Sequence, residues 1–187
     1  MSTRALLLAL AVAFAALGSG FAEDARAAAV DGQTTVAQKR QKTVAQKIRA
    51  LRAETRRWER LMRVPLTPLG PALRRSSDPS FRRWLLSLWR NRAAAARKAA
   101  YNPPRLRAWR CIHRHEGPWN ANTGNGYYGG LQMDMAFQRR YGPELLRKKG
   151  TANRWLPIEQ IWVAERAYRS GRGFSPWPNT SRYCGLR

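Results

Sequence analysis

The feature that most constrains the fold of this chain is its single pair of cysteines, Cys111 and Cys184. Two cysteines allow only one connectivity, and a bridge between them would enclose the 72 residues at positions 112–183. Closing so long a loop would stabilise the folded state by about 4 kcal/mol in the chain-entropy model. A domain of about 80 residues benefits from such a bond because its hydrophobic core is small. The pair therefore predicts a compact, disulfide-closed domain.

The first residues predict export. A short basic start at residues 1–4 is followed by an unbroken apolar run at 5–17 and then by small residues up to Ala22. This is the layout of a secretory signal peptide, and the run is shorter than the ~20 residues that a membrane-spanning helix needs. Cleavage after Ala22 or near 27–29 fits the pattern; an uncleaved anchor or a buried helix are the alternatives. Since disulfides persist outside the cytoplasm, a secreted, cell-wall-associated location agrees with the expected bridge.

After residues 1–22, the composition divides the chain into three segments. Residues 23–64 read as a linker and a basic amphipathic helix, residues 65–104 as a proline-rich linker and a second helix, and residues 105–187 as the compact domain. Positions 37, 41, 44, 48, 51, 55, 58 and 62 form a helical stripe. This stripe packs on a neighbouring helix, pairs weakly with another copy through residues 37–62, or contacts a wall or membrane surface.

The compact domain has the pattern of an α-rich fold with long ordered loops. Helices are expected at residues 105–116, 131–141, 144–149 and from 157 to about 170. No window alternates at period two, so the residues themselves predict no strand. Residues 117–130 are rich in glycine and asparagine and form a loop.

The formal charge of +24 favours polyanionic partners. The excess is spread along the chain, since residues 1–104 carry 20 Lys and Arg against 6 acids and residues 105–187 carry 15 against 5. Nucleic acid, anionic lipid and the anionic polymers of a bacterial wall all fit this charge. The signal peptide favours the wall polymers, and the chain has no nucleic-acid-binding motif.

Glu116 is the candidate general acid. It shares a helical stripe with Trp109 and Ile112, so its side chain is expected to point toward apolar surface, where desolvation would raise its pKa. The glycine- and asparagine-rich loop that follows carries aromatic rings suited to stacking on sugars and amides suited to their hydroxyls. A carboxyl beside such a loop predicts a glycan cleft. The alternative is a salt bridge between Glu116 and Arg110 or Arg114.

The other titratable side chains are weaker candidates. Asp134 is either a second carboxylate of the cleft or the cap of the next helix. Glu159 and Glu165 lie near arginines on one helix, which favours ion pairing or capping. His113 and His115 point about 200° apart on a helix, and the chain has no third histidine, so neither a metal site nor a cofactor is predicted.

Residues 109–184 resemble the transglycosylase-like catalytic domain of the resuscitation-promoting factors, which are secreted muralytic proteins of actinobacteria. The resemblance rests on several short matches spread over this part of the chain. They are Glu116 with Trp119 and Asn120, the run from Asn122 to Gln132, Glu159-Gln160-Ile161, Val163-Ala164-Glu165-Arg166, Trp177-Pro178 and Cys184. The eleven-residue run is the most specific of them.

The resemblance implies a lysozyme-like α+β fold and cleavage of the β-1,4 bond between N-acetylmuramic acid and N-acetylglucosamine in peptidoglycan. The essential glutamate of the family falls on Glu116. The residues expected to contact the glycan are Trp119, Thr123, Asn125, Tyr127, Tyr128, Gln132 and Gln160. A single acid implies lytic transglycosylation, in which Glu116 protonates the leaving oxygen and then acts as base toward the 6-hydroxyl of the same sugar.

Two departures from the family pattern bear on function. Family members commonly place a cysteine directly before the glutamate, whereas four residues separate Cys111 from Glu116. The second cysteine usually follows Trp-Pro-x, whereas Cys184 lies seven residues after Trp177, which is a matching shift of four positions. The bridge is therefore expected to be kept but re-sited. Phe137 stands where a hydroxyl residue is common. These changes leave a non-catalytic wall-binding module as the alternative, with an exported protein that binds nucleic acid or membrane as a third reading.

Overall fold

The computed structural model describes residues 43–69 and 78–186. The expected signal peptide at 1–22 and stripe positions 37 and 41 lie outside these ranges. The chain divides between Lys47 and Ile48 into two compact units, and the second unit, Ile48–Arg187, contains the contacts reported below. No described helix combines the length and the apolar character that crossing a membrane requires.

Two long helices precede the compact domain. Helix α1 spans Val44–Met62 and helix α2 spans Pro79–Ala100. Asp78 caps α2, since its carboxylate accepts hydrogen bonds from two backbone N–H groups of the first turn. Pro79 suits the first helical position because no intrahelical partner is available there for an N–H.

From Ile48 onward, the apolar stripe of α1 is largely buried within its own chain, whereas Val44 is exposed. Ile48 is fully buried against Leu85, Leu86 and Trp89 of α2. One further stretch of α1 joins the core of the compact domain through Trp58, Leu61 and Met62. The stripe thus packs on neighbouring elements of the same chain, which was the first of the alternatives, and self-association through residues 37–62 stays a prediction.

Five helices and two short turns follow. Their bounds are α3 Leu106–Glu116, α4 Met135–Tyr141, α5 Pro143–Lys149, α6 Pro157–Ala167 and α7 Pro178–Tyr183, with a 3₁₀ turn at Ala152–Arg154 and a π turn at Tyr168–Arg172. Helix α4 begins at Met135, four residues later than expected, because Asp134 accepts a hydrogen bond from the backbone N–H of Phe137 and so caps the helix.

The described residues contain almost no β structure. Two isolated antiparallel bridges join Tyr128 to Asn122 and to Met133. The expected strand component of an α+β fold is therefore not confirmed, whereas the mostly helical character is. Gly124, Gly126 and Gly129 all have positive φ, so the loop turns repeatedly and cannot extend a ladder.

Helix α6 lies at the centre of the compact domain. Every residue from Ile158 to Ala167 is buried. Trp109 of α3 is fully buried beside it and packs edge-on against Tyr168, Phe174 and Trp177, with ring centroids 5.1 to 6.4 Å apart. A helix buried all round is characteristic of a core element, and the others pack around it.

The buried Glu165 links α6 to α3. Its carboxylate accepts hydrogen bonds from the Trp109 indole at 2.7 Å and from the Arg105 guanidinium at 2.6 Å. The expected partner Arg169 lies farther away, at 3.7 Å. Ion pairing of Glu165 was predicted correctly, but its main partner precedes it by 60 residues and was not identified from the sequence.

Arg166 links α6 to two other helices. Its guanidinium donates to the carbonyl of Leu61 at 2.9 Å and to that of Tyr141 at 2.7 Å, and it pairs with Glu144. Burial lowers the pKa of Arg166, and the negative charge of Glu144 opposes that change. These bonds satisfy carbonyls near the C-terminal ends of α1 and α4, where no intrahelical N–H group is available to donate to them.

The predicted disulfide is present. Cys111 of α3 and Cys184, directly after α7, are bonded with Cα atoms 5.9 Å apart. The bond closes the compact domain and holds α7 alongside α3, as the re-sited bridge required.

We expect Glu165→Ala to lower the free energy of unfolding by about 3–5 kcal/mol, because the charge of Arg105 and the indole N–H of Trp109 would lose their buried partner. Glu54→Ala is the matched control: the partly exposed pair of Glu54 with Arg97, 3.6 Å long, should contribute less than about 1 kcal/mol. Urea denaturation of both variants measures the difference. Equal losses would contradict the central role of Glu165.

Candidate active site

A groove of about 320 Å³ runs beside the glycine-rich loop. Its lining comes from the loop, from the start of α4 and from the segment before α7. The lining residues are Tyr127, Gln132, Met133, Asp134, Ala136, Phe137, Arg140, Tyr141, Arg172, Pro176 and Trp177. It combines aromatic rings, an amide, a carboxylate and two guanidinium groups.

Glu116 lies at the last position of α3, and two contacts relate it to this groove. Its carboxylate accepts a hydrogen bond from the Thr180 hydroxyl at 2.7 Å, and Thr180 follows the groove residue Trp177 by three positions. The next residue, Gly117, has φ +147°, and a β-carbon there would lie 3.8 Å from the Gln132 amide nitrogen. Glu116 is half-buried and is not itself one of the residues that line the groove, but the end of its helix lies close to the groove residue Gln132.

A salt bridge with Arg110 or Arg114 was the alternative role for Glu116. Among the described residues no ion pair involves Glu116, and its carboxylate accepts a hydrogen bond from the hydroxyl of Thr180. The stripe behaves as expected, since Trp109 and Ile112 are fully buried and orient α3. A carboxyl that is held by a neutral hydroxyl remains available to a ligand.

The loop is held by close backbone approaches at two glycines. A β-carbon at Gly129 would overlap the Gln160 amide, and one at Gly130 would lie 2.6 Å from His113 and 2.7 Å from Trp119. Only glycine fits these positions. The backbone of Tyr128 exchanges hydrogen bonds with that of Met133. The loop is thus a fixed wall of the groove.

Gln160 has a structural role that differs from the expected one. Its side chain is fully buried, accepts a hydrogen bond from the N–H of Gly130 and donates to the carbonyls of Trp119, Ala152 and Trp155. A side chain with no exposed surface cannot contact a glycan directly. The expectation that Gln160 binds substrate is therefore corrected: its amide satisfies buried backbone groups and fixes the loop.

The other loop candidates occupy different places. Tyr127 is 47% exposed and lines the groove with Gln132, whose amide donates to the carbonyl of Gly129. Tyr128 is half-buried against the core. Thr123 and Asn125 are exposed at the loop tip, where the Asn125 side chain accepts from the N–H of Tyr127.

Trp119 faces a different cavity. Its ring stacks on His113 with centroids 3.8 Å apart. Both line a second pocket of about 450 Å³ that also involves Arg110 and Leu156. The structure thus places Trp119 away from the groove that contains Tyr127 and Gln132.

One of the two expected roles of Asp134, capping the next helix, is present in the structure. Asp134 lines the groove, and it also caps α4 through the hydrogen bond from Phe137 at 2.6 Å. Phe137, which replaces the hydroxyl common in the family, is buried in the same wall. The capping bond occupies one oxygen of Asp134 and leaves a second role as a prediction.

Sequence reasoning missed the positive charge of the groove and the partner of Glu116. Arg140 and Arg172 line the groove. The pKa of Tyr141, another lining residue, is lowered mainly by its hydrogen bond with Ser170 and further by these two arginines, while burial acts in the opposite direction. Thr180 precedes Cys184 by four residues, one helical turn. The expected disulfide between Cys111 and Cys184, combined with this spacing, could have indicated from the sequence that Thr180 lies near Glu116.

The described residues include one group with metal-ligand chemistry outside the groove. Cys111, Cys184 and His115 place potential ligand atoms within 4.8 Å of one another. Both sulfurs are bonded to each other, so neither is a thiolate ligand in this state.

Comparison with known proteins locates a family within the chain. A family model described as Transglycosylase-like domain matches residues 107–180. The resuscitation-promoting factor RpfE of Mycobacterium tuberculosis is 41% identical over 81 residues, which are 42% of this chain and 41% of that protein. Rpf1 of Corynebacterium glutamicum is 42% identical over 71 residues, 37% of this chain and 35% of that protein.

A third relative gives the same picture. The resuscitation-promoting factor Rpf of Micrococcus luteus is 36% identical over 70 residues, which are 37% of this chain and 29% of that protein. The chain thus covers less than half the length of each of these relatives. The family model covers residues 107–180, within the compact domain, and does not extend to α1 or α2.

We expect Gln160→Leu to act through folding. The substitution leaves one N–H and three carbonyls of the loop region without their buried partner, which should lower the free energy of unfolding by at least about 2 kcal/mol. Tyr127→Phe, at an exposed ring in the same loop, is the control and should change stability by less than about 0.5 kcal/mol. Thermal unfolding followed by circular dichroism measures both; an unchanged midpoint for Gln160→Leu would refute its structural role.

Proposed function

We propose that residues 107–180, a transglycosylase-like domain of the kind found in resuscitation-promoting factors, cleave the β-1,4 bond between N-acetylmuramic acid and N-acetylglucosamine of peptidoglycan, with Glu116 as general acid and base. The observation that carries the proposal is the half-buried Glu116, whose carboxylate is held by Thr180 three residues after the groove residue Trp177, beside a groove that contains an exposed tyrosine and an amide. The domain is proposed to be lysozyme-like.

The chemistry needs one carboxyl in two successive states. Protonated Glu116 gives its proton to the glycosidic oxygen, the C1–O bond breaks, and positive charge develops on the muramic acid ring. The carboxylate so formed removes the proton of the 6-hydroxyl, whose oxygen attacks C1. The product is a 1,6-anhydro ring, and Glu116 regains its proton.

The groove suits a saccharide that carries negative charge. Tyr127 offers an exposed ring for stacking on a pyranose face, and Gln132 offers an amide for its hydroxyls. Arg140 and Arg172 provide donors for carboxylates, which the lactyl group and the peptide stems of peptidoglycan carry. Tyr128, Thr123 and Asn125 remain proposed contributors at the loop.

The charge of the remaining surface supports contact with anionic wall polymers. The described residues carry 27 lysines and arginines against 8 aspartates and glutamates. Each of those acids has a hydrogen bond or an ion pair. Most of the cations are therefore not neutralised within the described part of the chain. Secretion through residues 1–22 would bring this surface to the wall.

A second candidate function is a non-catalytic wall-binding module. It is favoured by the four-residue separation of Cys111 from Glu116, which departs from the family pattern. In that case the groove would bind glycan without cutting it. Binding of nucleic acid by the basic surface is a third candidate, and it requires affinity that falls steeply with salt and does not depend on the groove.

We expect Glu116→Gln to lower the rate of glycan cleavage by about 10²–10⁴, because the amide cannot transfer a proton. The measurement is the release of soluble fragments from purified peptidoglycan, with mass spectrometry separating anhydro from hydrolysed ends. Hydrolysed ends alone would refute the transglycosylase route while leaving the acid in place.

Asp134→Asn is the matched control, since it removes a carboxylate from the same groove and keeps an oxygen that can cap α4. We expect it to retain cleavage within about tenfold of the starting rate. If Glu116→Gln cleared the wall as fast as the unmodified chain, the catalytic assignment would be wrong. Retained binding of glycan without cleavage by the unmodified chain would favour the wall-binding module.

A further inference from the structure

The second pocket, which contains Trp119, is a site that the proposed cleavage chemistry does not use. Its volume of about 450 Å³ falls within the range of about 300–1,000 Å³ that is typical of small-molecule sites. Its lining comes from the residue after α2, from α3 and from the start of α6. The described lining residues are Tyr101, Leu106, Arg110, His113, Arg114, Trp119, Leu156, Pro157, Ile158 and Ile161. None of them lines the groove.

The walls of the second pocket are held by contacts within the protein. The two isoleucines of its lining belong to the buried helix α6. The Trp119 ring is stacked on His113, and its carbonyl accepts a hydrogen bond from the Gln160 amide. Tyr101 packs edge-on against Trp58 of α1, with ring centroids 5.5 Å apart. Since these contacts fix the walls without a ligand, binding requires little reordering of side chains.

Much of the lining is apolar, and part of that apolar surface is exposed to solvent. Leu156 is 40% exposed and Tyr101 is 52% exposed, so both are among the large apolar side chains that the described part of the chain leaves in contact with water. A ligand with an apolar body would cover this surface. Each methylene group that such a ligand buries tightens binding by about fourfold. The apolar lining therefore favours a ligand with a hydrocarbon portion.

The same pocket also carries positive charge. Arg110 and Arg114 both line it, and they lie one helical turn apart on the exposed part of α3, where side chains at this spacing are neighbours. Within residues 43–69 and 78–186, neither arginine forms an ion pair. No acidic side chain is among the described lining residues. Charge complementarity therefore favours an anionic group on the ligand, beside the two guanidinium groups.

We propose that the second pocket binds a free, single-chain carboxylate of the fatty-acid class. The alkyl chain contacts the apolar lining, and the carboxylate accepts hydrogen bonds from Arg110 and Arg114. A neutral hydrocarbon would not use the two cations, and a hydrophilic anion would leave Leu156 in water. Tyr101 and Leu106 precede the residues that the family model matches, so the site includes a part of the chain outside that match. It is independent of cleavage at Glu116.

The first test varies the ligand and uses the unmodified full chain. Isothermal titration with octanoate, decanoate and dodecanoate, below their micelle concentrations and without glycan, measures the affinity of each. We expect about a fifteenfold gain for each two-carbon step until the pocket is filled. Octan-1-ol, which has a neutral head, should bind at least about tenfold more weakly than octanoate. Affinity that does not change with chain length, or equal affinity for acid and alcohol, would overturn the proposal.

The second test locates the carboxylate. Arg110→Gln and Arg114→Gln each remove one cation from the pocket, and Arg107→Gln, at an exposed position of the same helix outside the pocket, is the matched control. We expect each pocket variant to bind decanoate about tenfold more weakly, and the control to change by less than about twofold. Because general charge attraction depends on the number of charges, equal losses in all three variants would refute the site.

The third test locates the alkyl chain. Leu156→Ala removes apolar surface from the pocket, and Leu69→Ala makes the same change at another leucine that is 40% exposed and lies outside it. We expect Leu156→Ala to weaken decanoate binding by about tenfold and Leu69→Ala by less than about twofold. Circular dichroism of both variants establishes that the helices are retained. Equal affinities would contradict the placement of the chain.

The same pair of variants separates a free acid from a membrane lipid. Sedimentation with phosphatidylglycerol vesicles measures attachment to a lipid surface. For a pocket that takes the free acid, Leu156→Ala and Leu69→Ala should sediment equally. A loss of vesicle binding that is specific to Leu156→Ala would show that the pocket takes a chain from a bilayer, and it would overturn the assignment to a free acid.

Discussion

The compact domain depends on the polar side chains of a helix that has no exposed face. Helix α6 is buried throughout, and each of its polar groups bonds a different part of the chain. Gln160 fixes the glycine-rich loop, Glu165 fixes α3, and Arg166 fixes the ends of α1 and α4. The indole of Trp162 donates to the carbonyl of Ala100 at the end of α2. In a small domain these directional bonds select one arrangement of the packed elements, since apolar contacts alone do not specify how the elements are oriented.

This arrangement explains why the groove has rigid walls although much of it is loop. The loop contributes no regular ladder, yet its backbone is bonded to a buried amide on one side and pressed against the His113–Trp119 stack on the other. Glycine is needed at the two points of closest approach because any side chain would occupy space already filled. The glycine-rich composition, which predicted a loop without regular structure, is therefore also what allows the backbone to pack this closely.

The sequence was informative where the signal is local and less so where it depends on packing. The bounds of α3 and the start of α6 follow from apolar spacing and from the positions of Gly117 and Pro157, and the cysteine pairing follows from there being only two. Gln160 was misassigned because an amide in a family motif looks the same whether it faces a ligand or the core. Its burial is decided by the closeness of Gly129 and Gly130, which are 30 residues away or more in sequence. The partner of Glu165 was missed for the same reason. The start of α4 was misplaced because the capping potential of Asp134 outweighed the apolar residues before it.

The position of the Glu116 partner has a consequence for how the protein matures. Arg172, Pro176 and Trp177 are the last groove residues in the sequence and Thr180 follows them, and the bond of Cys184 to Cys111 fastens this segment to α3. During vectorial synthesis the earlier residues emerge first, so the carboxyl of Glu116 lacks its hydroxyl partner until this late segment has docked. The contact between Glu116 and Thr180 therefore requires docking of the segment that Cys184 fastens to α3.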